Sequence, residues 1–207
     1  MKRLLIITAL AVTALTAAVV VAQQAPQTPP AESIVDIVQT AYGNELIALE
    51  RYAAFAKTAD EDGYKGVASL FRAAAKAERI HADRFAEVLK KKNETPLEPS
   101  FTPDVRSTQE NLLQAVEAER EERDNVYLLD IQKAKALEEK SIATLFDLVR
   151  SAETEHANLC TIANATLDDQ KSAKTYHVCS YCGYTTDVKL GRCPSCMHAD
   201  ARMTDVR

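Results

Sequence analysis

The stretches Ala77-Glu78-Arg79-Ile80-His81-Ala82 and Ala152-Glu153-Thr154-Glu155-His156-Ala157 decide how this chain reads. Each carries Glu-x-x-His inside a long run of helix-forming residues, and an i, i+3 pair shares one helix face. The two copies stand 75 residues apart. The echo extends upstream, where Val67-Ala68-Ser69-Leu70-Phe71 matches Ile142-Ala143-Thr144-Leu145-Phe146 at the same offset. The sequence therefore contains an internal duplication of a helical pair.

The position of these polar residues matters more than their presence. Val67, Ala74, His81 and Val88 recur every seven residues, as do Phe71, Glu78 and Phe85. In the second copy Ile142, Val149, His156 and Ala163 recur, as do Phe146, Glu153, Cys160 and Leu167. Both Glu-x-x-His pairs thus sit on the apolar stripe that a helix turns toward its core. A single Glu-x-x-His is common on solvated helix faces; two in register on apolar stripes are not. Buried charge is costly unless paired or bound to metal, so a cation belongs between them.

The other two predicted helices carry misplaced carboxylates of the same kind. The first runs from about Ala31 to Thr58, with Ile34, Val38, Ala41, Glu45, Ala48, Tyr52 and Phe55 on its stripe. Glu50 lies off the stripe and reads as solvated. The third helix has Leu112, Ala115, Glu119, Glu122, Val126 and Leu129 on its stripe. One Glu from each of two helices, with Glu-x-x-His from the other two, is the di-iron carboxylate pattern of ferritin-like bundles. The spacing agrees: Glu45 to Glu78 is 33 residues and Glu119 to Glu153 is 34. Carboxylates and imidazoles suit iron or manganese, and two such cations largely offset the charge of Glu45, Glu78, Glu119, Glu122 and Glu153. Tyr52 and Tyr127, seven and eight residues after Glu45 and Glu119, read either as hydrogen-bond donors to those carboxylates or as ordinary core tyrosines.

The remainder of the chain fits around this centre. Its 207 residues suffice for one domain and a small second one. A net charge of −5 offers no basic face for nucleic acid. Residues 1–22 read as a signal peptide or membrane anchor: Lys2-Arg3, an apolar run from Leu4, then Val20-Val21-Ala22 as small residues for cleavage. The expected location is periplasmic or otherwise exported, and no cysteine follows the run to carry a lipid. Removing this segment with its two basic residues leaves 23 Lys and Arg against 30 Asp and Glu, a net −7.

Residues 23–30 form a Pro/Gln linker. The bundle then spans residues 31–168. A second helix follows the Asp60-Glu61-Asp62-Gly63 turn and ends near Lys92; the fourth covers about Leu137 to Leu167. Between the second and third helices, Pro96, Pro99 and Pro103 exclude helix from residues 93–106, which suits a long crossover along the bundle. Ser107-Thr108-Gln109-Glu110 is a capping box that starts the third helix.

Residues 175–207 form a separate small unit. Cys179-Ser-Tyr-Cys182-Gly and Cys193-Pro-Ser-Cys196 are two Cys-x-x-Cys knuckles, the spacing of a tetrahedral metal site. So short a segment cannot build a core, and metal would hold it together. Spacing leaves iron and zinc both open, and an oxidising compartment would also allow two disulfides. Cys160, in the place of Phe85 in the repeat, reads as a buried filler.

A di-iron four-helix bundle followed by a four-cysteine knuckle pair resembles rubrerythrin over residues 33–200. Glu45, Glu78 and His81, Glu119 and Glu122, Glu153 and His156, then Cys179, Cys182, Cys193 and Cys196 stand in family order, and Tyr127, five residues after Glu122, matches as well. The resemblance implies an all-α ferritin-like bundle with a long crossover and a C-terminal rubredoxin-like domain. It implies that Glu78 and Glu153 bridge two irons. Glu45 and His81 would serve one iron, with Glu122 replacing His81 on oxidation, and Glu119 and His156 the other. A single iron on the four cysteines (zinc being the alternative) would relay electrons, and hydrogen peroxide would be reduced to water. It also implies a homodimer in which one subunit's four-cysteine site lies near the partner's di-iron site.

The chain departs from the family in a short ten-residue gap between knuckles. The proline and later aromatic expected after Cys196-Met197-His198 are also missing, with Asp200 and Met203 nearby. The export signal is a further departure, because it calls for an electron donor outside the cytoplasm. Two other functions compete: a ferritin-like iron-oxidising or iron-storing protein, and a non-enzymatic module with structural zinc in the tail. The first predicts a large cage, yet a cysteine unit stands where a fifth helix would be; the second predicts a colourless tail.

Overall fold

The structure is a computed structural model that describes residues 32–198 and 203–207; the export-signal and linker readings lie outside these residues. Four long helical segments make the bundle. Helix α1 spans Ile34–Glu61, α2 Lys65–Lys91 and α5 Lys140–Ala165. The third segment is composite: α3 at Thr108–Glu121, a π-helical turn at Glu122–Val126, and α4 at Tyr127–Ala136. No helix among the described residues is long and apolar enough to cross a membrane.

Local chemistry sets the boundaries. Ser33 caps α1, accepting from the Asp36 N–H while the Asp36 carboxylate accepts from the Ser33 N–H, so the helix starts three residues later than expected. It also runs three residues further, to Glu61. Ser107 and Glu110 form the capping box that their spacing predicts. The fourth bundle helix begins at Lys140 rather than Leu137, because Glu138 takes a left-handed φ of 61° and breaks the chain between α4 and α5. The crossover lies along α1: Gln39 exchanges hydrogen bonds with the Leu97 backbone, Arg51 stacks on Phe101, and Asp62 accepts from Thr108.

The π turn corrects the expected stripe of the third helix. An i→i+5 turn holds one more residue than an α turn, so the core-facing set moves forward by one position. Tyr127, Ile131 and Ala134 are buried, whereas Leu129 is 52 % exposed. The same extra residue accounts for the unequal spacings of 33 and 34 and for the tyrosine offsets of seven and eight. Arg150 reaches the turn, its Nε donating to the Arg123 carbonyl at 2.8 Å.

The core is divided in two. One cluster holds Phe55, Phe71, Leu112, Leu159 and Cys160. The other holds Ile37, Phe85, Ile131, Ile142 and Phe146. Along every helix the switch from one cluster to the other occurs at the acidic and histidine positions. Those residues therefore form a polar layer across the middle of an otherwise apolar bundle.

The C-terminal unit is a three-stranded antiparallel sheet in the order β2-β1-β3, with β1 at Tyr176–Cys179, β2 at Thr185–Thr186 and β3 at Met203–Val206. It packs on the bundle of its own chain. Arg84 of α2 lies 4.1 Å from the Tyr181 ring centroid, and the His198 ring centroid is 4.0 Å from it. Arg72 donates to the Arg207 carbonyl at 2.8 Å. Met203 packs against the cysteine cluster.

Candidate metal centres

The duplicated helices run through the polar layer so that each of four segments delivers one Glu. Glu45, Glu78, His81, Glu119, Glu153 and His156 are all at most 1 % exposed. They fall into two tetrads whose ligand atoms lie within 4.8 Å of one another: Glu45, Glu78, His81 and Glu153, and Glu78, Glu119, Glu153 and His156. Glu78 and Glu153 belong to both. Glu78 turns Oε2 to His81 Nδ1 at 2.9 Å and Oε1 to His156 Nδ1 at 3.3 Å. Glu153 turns Oε1 to His81 at 3.2 Å and Oε2 to His156 at 2.9 Å. Each shared carboxylate thus offers one oxygen to each half of the site.

Glu122 stands outside both tetrads, half-buried on the π turn. Burial, and then the charge of Glu45 and Glu119, push its carboxyl well above the usual range. The two tyrosines flagged in the sequence donate to the layer: Tyr52 to Glu119 and Tyr127 to Glu45. They bind the carboxylates that are not shared, one on each side.

The donor set fits metal. Buried oxygens of Glu78, Glu119 and Glu153 and the His156 Nδ1 have no hydrogen-bond partner in the protein. Such orphans cost on the order of 1–3 kcal/mol each, more when charged, and a cation satisfies them together. Left to themselves, these groups drive one another's ionisation apart. Burial pushes Glu119 up to about 8 and Glu45 well up despite the neighbouring His81. Both histidines are held protonated against the pull of burial, His81 by Glu153 and Glu45 and His156 by Glu119 and Glu78. Glu78 is lowered: burial opposes its charge, but His156 and His81 together outweigh burial.

The second centre lies against the first. Cys179, Cys182, Cys193 and Cys196 are all free thiols with sulfurs close together, which excludes the pair of disulfides. Cys179 and Cys196 sulfurs are 3.8 Å apart, and those of Cys182 and Cys193 3.6 Å. A tetrahedron with metal–sulfur bonds of about 2.3 Å has edges of about 3.8 Å. The Cys179 thiol is brought down to about 5 by a hydrogen bond from Cys182, so one thiolate is available at neutral pH.

A family model described as rubrerythrin matches residues 36–161, more than half of the chain. This chain belongs to the rubrerythrin family. Rubrerythrin-2 of Clostridium acetobutylicum is 30 % identical over 166 residues, covering 78 % of this chain and 90 % of that protein. Nigerythrin of Nitratidesulfovibrio vulgaris is 30 % identical over 172 residues, covering 79 % of this chain and 82 % of its own length. The fully reduced, all-ferrous structure of nigerythrin superposes with a TM-score of 0.79 at 27 % identity, covering 89 % of this chain and 91 % of that one. As a rubrerythrin-family oxidoreductase, the chain carries the family's di-iron site in the helical bundle and a rubredoxin-like Fe(Cys)4 site in the tail.

The two centres of this family member touch. His81 Nε2 donates to the Cys182 carbonyl at 3.1 Å, and His156 Nε2 is 3.1 Å from Thr185 Oγ1. Gly183, between them, takes φ +75°, and a Cβ there would overlap His81 Nε2. Thr185 carried no signal in the sequence, because its contact exists only once the tail folds back on the bundle. Gly183 did carry one: a Gly directly after a knuckle cysteine marks a left-handed turn.

Proposed function

We propose that this rubrerythrin-family protein is a peroxidase that reduces hydrogen peroxide to water, H2O2 + 2 e− + 2 H+ giving two H2O. Electrons would enter through iron on Cys179, Cys182, Cys193 and Cys196. The supporting observation is the His81 side chain, with Nδ1 among the carboxylates and Nε2 on the Cys182 carbonyl at 3.1 Å. One imidazole then spans the gap between the centres.

Glu78 and Glu153 are assigned as the carboxylates shared by two irons, Glu45 and His81 as ligands on one side, and Glu119 and His156 on the other. When bound, the two irons supply the electron pair that cleaves the O–O bond. The residues supply the rest. Tyr127 and Tyr52 hold Glu45 and Glu119 in orientation. The apolar clusters on both sides exclude water from the layer. Glu122, required by neither tetrad, is free to hold a proton at its carboxyl or to swing toward a cation as charge changes.

Residues 1–22 support an exported location, periplasmic or membrane-anchored, and with it an electron donor from that compartment rather than a cytoplasmic nicotinamide-linked one. The homodimer implied by the family remains part of this reading. The decisive experiment takes iron-loaded protein, reduced without oxygen, and adds hydrogen peroxide while following the four-thiolate iron by its visible absorbance. Rapid oxidation that tracks peroxide loss, and disappears in Glu78→Ala, is the expected result. A colourless tail, or reduced iron persisting beside intact peroxide, overturns it in favour of iron handling or a structural zinc.

A further inference from the structure

Thr185 is fully buried on β2, two residues beyond Gly183, and its hydroxyl has a single proton. That proton is given to the Gly183 carbonyl at 2.9 Å. The 3.1 Å contact with His156 Nε2 must therefore run the other way, with the ring N–H donating and the hydroxyl oxygen accepting. This leaves Nδ1 as the ring nitrogen that faces Glu153 at 2.9 Å, Glu78 at 3.3 Å and Glu119 at 3.6 Å. A metal-bound histidine takes its tautomer from whatever its other nitrogen bonds.

We propose that Thr185 is a positioning residue for His156. Its hydroxyl holds the proton on Nε2, aims Nδ1 at the cation position of Glu78, Glu119 and Glu153, and ties that half of the bundle site to the four-cysteine unit. His81 needs no such side chain, since a backbone carbonyl accepts its proton. The two halves are thus anchored by different chemistry, a backbone carbonyl at His81 and a side-chain hydroxyl at His156. The competing role is that of a β-branched filler in a tight strand. Valine preserves that role and removes the hydroxyl; serine does the reverse.

The proposal rests on His156 serving as a ligand, but its test does not rest on peroxide turnover. Protein loaded with zinc alone at both centres is diamagnetic, so the ring nitrogens of His156 can be read by 15N NMR. In the unaltered protein the proton is expected on Nε2 with Nδ1 bound; a proton on Nδ1 overturns the proposal without any variant. Thr185→Val should lose the slowly exchanging Nε2 proton signal and weaken zinc binding in the bundle by about 10-fold or more, with four-cysteine zinc unchanged. Thr185→Ser should restore both. Equal losses in the serine and valine variants, or none in valine, assign Thr185 to packing and sink the idea. Loss of peroxidase activity with the zinc results intact would instead fault the proposed reaction alone.

Discussion

His81 Nε2 and the carbonyl oxygen of Cys182 are 3.1 Å apart, although the residues are 101 positions apart in the chain. The bond requires the first knuckle to lie flat against α2, and Gly183 allows it to. Gly183→Ala would add about 1–2 kcal/mol of left-handed strain and drive a methyl into His81. The tail cysteines should still bind iron in this variant. Oxidation of that iron after peroxide addition should slow by at least about 10-fold, as seen in stopped-flow absorbance; an unchanged rate would mean electrons do not travel through this contact.

Glu122 lies on the π turn outside both tetrads. Glu122→Ala should therefore leave iron stoichiometry near that of the unaltered protein while peroxide turnover falls on the order of 10²-fold, the scale of a lost acid–base group. Parallel iron analysis and peroxide consumption would separate the two effects. Full activity would remove Glu122 from the mechanism.

Tyr127 stacks among Phe85 and Phe146 and donates to Glu45. Tyr127→Phe keeps the rings and orphans a carboxylate oxygen, at about 1–3 kcal/mol. A lower melting temperature in chelator and weaker iron binding are expected, with helical content unchanged. Tyr52→Phe should do the same through Glu119.

The polar layer also fixes a pH dependence. Glu119 sits at about 8 in the fold against an ordinary 4.5, so the folded chain binds the extra proton between these values. Its contribution is full below 4.5 and is lost as pH rises toward 8. The raised histidines act in the same direction above their ordinary 6.5, while Glu78, lowered, contributes above 4.5 and loses that contribution only in acid. In chelator the melting temperature should fall from pH 5 to 8. With Mn2+ it should fall less or rise, since the cation takes the place of the protons. Parallel slopes with and without Mn2+ would mean that cations do not enter the layer.

How far the sequence carries can be judged at particular residues. Glu45, Glu78, His81, Glu119, Glu153 and His156 were readable because charge on an apolar stripe contradicts helix patterning unless something compensates it. The π turn was not, since i→i+5 bonding leaves no composition signature; its trace was the single-residue excess in two spacings. Leu129 was misassigned for that reason alone. The docking of the tail on its own bundle depends on Arg84, Thr185 and Arg207, each unremarkable in its local sequence, and on Gly183, whose place after Cys182 marks a turn but not what the turn touches.

The extra residue of the π turn has a consequence for symmetry. Two identical hairpins would enclose equivalent cations with equal reduction tendencies. Three residues beyond Glu45, α1 carries Ala48; three residues beyond Glu119, the bundle carries Glu122. A carboxylate in reserve exists on one helix only, its ionisation opposed first by burial and then by the charge of Glu45. The duplicated halves are thereby made unequal, so that the two metal positions can differ in which one yields its electron first.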